Sequence, residues 1–211
     1  MSDGSSSLLR EAMVEMHLAG RGISNPAVLD AFLMVRREDF VRPEDVDRAY
    51  DDTALPLGMP GETVSQPFAV AWIAELADVT PGCRLLEIGT GSGYTAAILA
   101  TTGAQVWTVE RNPTLAREAA ERLAPFGVQV RTGEGREGWP EAGPFDRIVI
   151  SAACEAMAPA WFTQLAPGGR IVAPVVCGGS QTLRVFSDGV WADHGAVRFA
   201  ALQPDAVSAE P

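Results

Sequence analysis

Five short apolar runs, at 84–88, 105–109, 128–132, 147–151 and 171–176, alternate with stretches long enough for helices or loops. Strands that are apolar along their whole length are buried on both faces, and strands alternating with helices pair in parallel beneath helical layers. The spacing therefore predicts a doubly wound α/β sheet. The clearest connecting helix opens at Asn112-Pro113, an N-cap followed by a first-turn proline, and stops at Gly127. Beyond residue 180 the pattern changes. Extended runs at 181–186 and 190–199 meet around Asp188-Gly189, a dipeptide suited to the positive φ angles of a tight turn, so an antiparallel hairpin is expected there.

The first third reads as helical. Leu8, Leu9, Met13, Met16 and Leu18 fall near helical spacing, and Asn25-Pro26 starts a second helix running to about Val35. Both are expected to cover one side of the core. The segment 36–61, with Pro43, Pro56, Pro60 and a dense acidic run, sustains neither period and reads as a long irregular loop. A third helix follows, with Ser65 as a possible N-cap and Pro67 in its first turn, ending at Thr80-Pro81-Gly82. The length of 211 residues suits one compact unit: N-terminal helices and cleft segment over 1–79, a core over 80–202 and a loose tail over 203–211.

Composition excludes several chemistries. All 16 basic residues are arginine, so a Schiff-base lysine, a phosphate-loop lysine and the Tyr/Lys pair of some dehydrogenases are ruled out. His17 and His194 are the only histidines, and Cys83, Cys154 and Cys177 form no C-x-x-C pair, so no metal is expected. A net charge of −11 opposes binding to nucleic acid through its phosphates. No run of about 18 apolar residues and no basic-then-apolar leader stands in the sequence, and lone cysteines suit a reducing compartment. A cytoplasmic monomer is the expectation.

After the first core strand comes Glu87-Ile88-Gly89-Thr90-Gly91-Ser92-Gly93-Tyr94, leading into a helical run. Glycines at such a turn let a ligand lie against main-chain N–H groups, and Glu110, 21 positions after Gly89, stands where a carboxylate can accept both ribose hydroxyls. A nucleoside-type ligand is expected at the carboxyl edge of the sheet. The loop is G-x-G-x-G rather than the dinucleotide G-x-G-x-x-G, and Glu87 adds negative charge that repels pyrophosphate and suits an ammonium or sulfonium. S-adenosylmethionine carries both cations. A carboxylate capping a local turn is the competing role for Glu87, and a plain turn competes at Gly133-Glu134-Gly135, where an adenine contact is the alternative.

The residues that follow resemble the protein-L-isoaspartate O-methyltransferases over nearly the whole chain. The similarity runs through MVEMHLAGRG (13–22), VRREDFV (35–41), Glu62-Thr63-Val64-Ser65-Gln66-Pro67, LLEIGTGSGY (85–94), GWPEAGPFDRIVISAA (138–153) and LAPGGRIVAPV (165–175). The most specific piece is T-V-S-Q-P at 63–67, which is similar to the family signature T-[IV]-S-x-P. The resemblance implies a Rossmann-like S-adenosylmethionine-dependent fold and methylation of the α-carboxylate of isoaspartyl residues in damaged proteins, leading through a succinimide to repair. It implies that Ser65 is the active-site serine, with Thr63 and Val64 lining the cleft. Glu87, Gly89, Gly91, Gly93, Glu110, Arg111, Gly133, Glu134 and Gln181 are the implied cofactor contacts. Four departures bear on substrate preference: Glu62 for a usual Gln, Met59-Pro60 for a His- or Tyr-Gly step, Glu134 for Asp and Cys154 for Pro.

This reaction asks little of side chains. A carboxylate of pKa near 4 is already ionised at neutral pH and the sulfonium is a strong electrophile, so no general base is required. Holding the two in line can supply about 7–11 kcal/mol of barrier reduction. Ser65 can orient the acceptor, or it can simply cap its helix. Competing activities are methylation of an aspartate in a dedicated precursor peptide, a non-catalytic S-adenosylmethionine sensor and, more remotely, a nicotinamide dehydrogenase.

Overall fold

The computed structural model describes residues 3–202, with the side chains from residue 4 on; the expected tail at 203–211 lies outside the described residues. The chain enters through α1 (Asp3–Met13), which passes into a π-helical turn at Val14–Leu18, and then α2 (Pro26–Met34). Asn25 caps α2 by accepting from Ala27 N at 3.0 Å, as the Asn-Pro pair predicts. Of the five apolar residues read as one helical stripe, Met13 and Leu18 are buried, whereas Leu8, Leu9 and Met16 are exposed. The π-helical turn shifts the phase of the helix, so a single 3.6-residue stripe does not continue through it.

The segment 36–61 carries more structure than its composition promises. It holds short 3-10 turns at Arg37–Asp39 and Pro43–Arg48, then β1 (Leu55–Pro56), which pairs antiparallel with β2 (Thr63–Val64). The third helix is α3 (Pro67–Ala77), and here the expected cap is corrected. Gln66 occupies the N-cap position, and the carboxylate of Asp52 caps the helix from 14 residues upstream, accepting from Phe68 N at 3.0 Å while its other oxygen accepts from Gln66 Nε2 at 2.9 Å. A carboxylate at a helix N-terminus serves the free amides and the dipole together. Ser65 is thereby released from capping.

The core sheet has seven strands in the order β5-β4-β3-β6-β7-β8-β9. β3 (Arg84–Ile88), β4 (Gln105–Glu110), β5 (Gln129–Thr132), β6 (Phe145–Ile150) and β7 (Leu165–Cys177) run parallel; β3, β4, β6 and β7 carry buried apolar stretches of the predicted kind, whereas β5, at the sheet edge, is partly exposed along its length. β8 (Ser180–Ser187) and β9 (Val190–Val197) add the expected antiparallel hairpin, turning at Asp188 (φ 52°) and Gly189 (φ 80°). The connecting helices are α4 (Tyr94–Thr101), α5 (Pro113–Leu123) and the short α6 (Pro159–Thr163).

Alternate residues along the central strands feed the two faces. Leu85, Val106, Val149 and Val172 join the cluster that contains Met13, Leu18, Val28 and Phe32, so the N-terminal helices cover one face as expected. Leu86, Trp107, Ile148, Ile150 and Ile171 pack on the opposite face against Trp161 of α6, whose indole Nε1 donates to Gly135 O at 2.8 Å. Fully burying one such aliphatic side chain stabilises the fold by about 1.5–3 kcal/mol. The sheet is a doubly wound Rossmann-like one. The chain passes from β3 outward to β5 and then returns to β6 on the other side of β3. That reversal opens a crevice at the carboxyl ends of β3 and β6, where ligands of open α/β sheets bind.

Candidate active site

An open cleft lies at that reversal, where small-molecule sites of such sheets form. Its floor is the turn after β3. Gly89, Gly91 and Gly93 have φ of 92°, 53° and 91°, in the left-handed region that glycine enters at least cost, which is why glycines suit this turn. Gly89 and Gly91 line the cleft; Gly93 stands behind it as the N-cap of α4, where an added Cβ would meet Leu123 at 3.0 Å.

Glu110 ends β4 and faces the cleft. Its Oε2 accepts from Gly91 N at 3.0 Å and its Oε1 from Asn112 N at 2.9 Å. Both bonds come from main chain, so they orient the carboxylate and leave each oxygen a further lone pair for a ribose hydroxyl. Arg111 also lines the cleft, as does Glu134, which lies 3.9 Å from Arg111 Nη2. Gly133 is not a lining residue; its N–H donates to Glu110 O at 3.0 Å, and Gly135 and Arg136 form the wall instead.

Glu87 lies deeper than expected. It is fully buried behind the loop rather than in the cleft wall, accepting from Thr108 Oγ1 at 2.7 Å on β4 and from Ser151 Oγ at 2.8 Å after β6. Burial pushes its carboxyl up to about 8, against the two hydroxyl donors that favour the ion. Folded Glu87 therefore keeps a proton that the unfolded chain releases above its ordinary value of 4.5. More protons are bound in the folded state, so this group lowers stability progressively as pH rises from about 4.5 to about 8 and has no effect below that window. Thermal unfolding across pH 5 to pH 8.5 is expected to show Glu87→Gln gaining on the wild type as pH rises. A gap independent of pH contradicts the assignment.

The opposite wall comes from the β1–β2 hairpin and the approach to α3. Thr63 and Ser65 line the cleft, whereas Val64 points into the core and is 1 % exposed, as strand alternation requires. Among the described residues the Ser65 hydroxyl has no hydrogen-bond partner, while its main-chain carbonyl accepts from Arg37 Nη2 at 3.0 Å. Glu62 also lines the cleft; burial first and then the nearby Glu110 raise its pKa. Met59 accepts from Asn112 Nδ2 at 3.1 Å, which ties the hairpin tip to the loop after β4. Cys154 is buried beside Pro174 and Met157, away from the cleft.

Gln181 does not reach the cleft. Its side chain clasps Phe199, with Nε2 donating to Phe199 O at 3.0 Å and Oε1 accepting from Phe199 N at 2.6 Å. This clasp, with Ala153 N donating to Ala200 O and Leu202 N to Ala153 O, both at 2.7 Å, lays residues 199–202 along the turn after β6, where Ala200, Ala201 and Leu202 become cleft wall. That strap carries no sequence signal, since its partners are 18 and more residues away. Ser151 and Ala152 line the cleft as well and were legible in principle, since they follow directly on a parallel strand.

The lining fits the expected ligand. Three carboxylates, Glu62, Glu110 and Glu134, face the cleft against two guanidiniums, Arg111 and Arg136, a balance suited to a cationic sulfonium compound rather than a pyrophosphate. Glycine backbone amides and an oriented carboxylate at the end of the second strand suit a nucleoside. Among the described residues no group of three or more His, Cys, Asp or Glu is placed to hold a metal ion.

The comparisons with known proteins agree with this geometry. The family model described as protein-L-isoaspartate(D-aspartate) O-methyltransferase matches residues 9–199. A protein-L-isoaspartate O-methyltransferase of Methylorubrum populi is 49% identical over 176 residues, covering 82% of each chain. Its counterpart in Methylorubrum extorquens is 45% identical over 209 residues, covering 96% of this chain and 91% of its own. A solved protein-L-isoaspartate O-methyltransferase superposes with a TM-score of 0.83 at 29% identity, covering 92% of this chain and 66% of that one. A Plasmodium falciparum relative solved with S-adenosyl-L-homocysteine shares the fold, with a TM-score of 0.80 at 22% identity over 94% of this chain and 98% of its own. With Thr63 and Ser65 of the motif T-V-S-Q-P in the cleft wall and a family match over residues 9–199, the chain belongs to the protein-L-isoaspartate(D-aspartate) O-methyltransferase family.

Proposed function

We propose that this protein transfers a methyl group from S-adenosylmethionine to the α-carboxylate of L-isoaspartyl residues in damaged proteins and peptides, the ester then closing to a succinimide that begins repair. The observation that carries the reading is that one cleft holds both a nucleoside-type half, Gly89, Gly91 and Glu110, and the Thr63–Ser65 wall with a free hydroxyl. When bound, S-adenosylmethionine supplies an electrophilic methyl on a positively charged sulfur.

The chain's own residues do the remainder. Glu110 holds the ribose hydroxyls, the amides of the glycine loop and Glu134 hold the other ends of the nucleoside, and Ser65 donates to the acceptor carboxylate and orients it. The apolar strap at 199–202 closes one wall and excludes water. A carboxylate acceptor needs no proton removed, which accords with a cleft lined by neither histidine nor lysine.

The physiological partners in this reading are flexible peptide segments, met in the cytoplasm by a monomer that has no use for nucleic acid. Among the described residues no helix is long and apolar enough to cross a membrane. Cys83, Cys154 and Cys177 are all free thiols, in keeping with a reducing compartment.

One observation favours a second acceptor. Glu62 faces the cleft rather than solvent, and its ionised form repels an anion beside Ser65, which would suit an aspartate presented by a dedicated peptide with compensating basic residues. Paired peptides identical except for isoaspartate or aspartate at one position, incubated with labelled donor, separate the two. Labelling of the isoaspartyl peptide at least about tenfold above its partner, a difference of roughly 1.4 kcal/mol in transition-state binding, is expected. Equal or reversed labelling overturns the repair reading.

A further inference from the structure

We infer that Arg37 is a positioning residue for the methyl-transfer reaction, fixing the main chain of Ser65 so that its hydroxyl meets the acceptor; the inference rests on the reading above. Arg37 is fully buried on the short turn after α2. One guanidinium gathers four main-chain carbonyls from two separate stretches of chain. Nη1 donates to Ala49 O at 2.6 Å and Asp51 O at 3.3 Å, and Nη2 donates to Thr53 O at 2.9 Å and Ser65 O at 3.0 Å.

The arrangement is unusual in its chemistry. A buried cation ordinarily takes a carboxylate partner, because leaving it among neutral groups is costly. Here carbonyl dipoles take that place, and among the described residues no carboxylate is hydrogen-bonded to Arg37. Its guanidinium also lies 5.6 Å from the ring centroid of Tyr94, the residue that follows the glycine loop and lines the cleft from below. A planar fork with five donors is the side chain able to bind divergent carbonyls at fixed angles; an ammonium on a flexible stem is not.

The consequence for the site is geometric. Asp52, in the segment between Asp51 and Thr53, caps α3 and holds Gln66, so that segment and the start of α3 are already joined through one carboxylate. Arg37 adds a second tie that ends on Ser65 itself. With its capping role taken by Asp52 and its carbonyl held by Arg37, Ser65 keeps one degree of freedom that matters, the rotation of its hydroxyl. A residue that acts only as a rivet for the fold would have no reason to couple to that hydroxyl.

A double-mutant cycle distinguishes the two. Arg37→Lys is expected to lower kcat on the isoaspartyl peptide by about tenfold, the size of a sub-ångström misplacement of an orienting group, with the dissociation constant for S-adenosylmethionine changed by less than about twofold. In the Ser65→Ala background the same change should lower kcat by less than about twofold, because the group it positions is gone. If Ser65→Ala is impaired and Arg37→Lys multiplies that loss in full, Arg37 is a rivet and the inference is overturned. If Ser65→Ala turns over like the wild type, the role of Ser65 fails first and Arg37 has nothing to position. Should Arg37→Lys not fold, the nitrogen resonances of the Arg37 guanidinium in the wild-type protein serve instead. They are expected to shift when the isoaspartyl peptide binds the protein loaded with S-adenosylhomocysteine, and an unmoved signal overturns the proposal.

Discussion

Replacing Ser65 by alanine is expected to lower kcat on an isoaspartyl peptide by about 100-fold while leaving the dissociation constant for S-adenosylmethionine within about twofold. A single positioned donor aimed at a reacting oxygen is worth roughly 10²–10³ in rate, and a misplacement of about 1 Å costs a similar factor. The structure explains why the loss should be confined to chemistry. Asp52 caps α3, so the Ser65 hydroxyl carries no structural bond that alanine would remove, and the change in stability should remain within about 0.5 kcal/mol. Steady-state transfer, calorimetric titration with the donor and thermal unfolding check the three parts separately. A large loss of donor affinity with unchanged turnover would place Ser65 on the cofactor and not the acceptor.

Glu110→Ala should give the converse pattern. Each charge-assisted hydrogen bond from this carboxylate to a ribose hydroxyl is worth roughly 1.5–3 kcal/mol, so affinity for the nucleoside should fall by about 10- to 150-fold. The ribose is common to donor and product, and both should weaken by the same factor. Turnover at saturating donor should change by less than about threefold. The substitution also strips Gly91 N and Asn112 N of their acceptor, and a glutamine does not restore it, since only one of its two terminal atoms can accept from an amide. Calorimetry with S-adenosylmethionine and S-adenosylhomocysteine tests this directly. If only the donor weakened, Glu110 would be acting on the sulfonium charge instead of the sugar.

The two variants are informative because their residues reach one cleft from different layers of the chain. Glu110 stands at the end of β4, and its distance from the glycine loop is set by strand pairing, with Ile88 beside Val109 in the parallel register. Any sequence that forms this sheet brings those two positions together, which is why a carboxylate 21 residues after Gly89 is informative in the sequence itself. Ser65 arrives through a different route, a hairpin and a helix start held by Asp52 and Arg37.

Local patterning made much of the molecule legible. Apolar runs located the five parallel strands, Asn-Pro pairs located the starts of α2 and α5, and Asp188-Gly189 located the hairpin turn. The glycine loop was legible because its positive φ angles admit little else. Other readings failed for identifiable reasons. The spacing of Leu8, Leu9 and Met16 suggests a buried stripe, but all three are exposed, and the π-helical turn at Val14–Leu18, which contains Met16, breaks the 3.6-residue period. Ser65 was a plausible cap by type and position, and it lost that role to a carboxylate that no local window contains. Gln181 and Gly133 lie near the cleft in the fold without lining it, because a side chain's direction depends on what it is bonded to.

The positions of the parallel strands, the glycine turn and the placing of the Glu110 carboxylate at the end of β4 were determined by the sequence alone, since each follows from steric limits on a few adjacent residues or from the period of a strand. The tertiary structure alone decided that Glu87 would be buried and protonated, that residues 199–202 would form a wall, and that Arg37 and Asp52 would leave the Ser65 hydroxyl unengaged. Those outcomes depend on desolvation and on hydrogen bonds between segments far apart in the chain, and neither quantity exists until the core has closed around them.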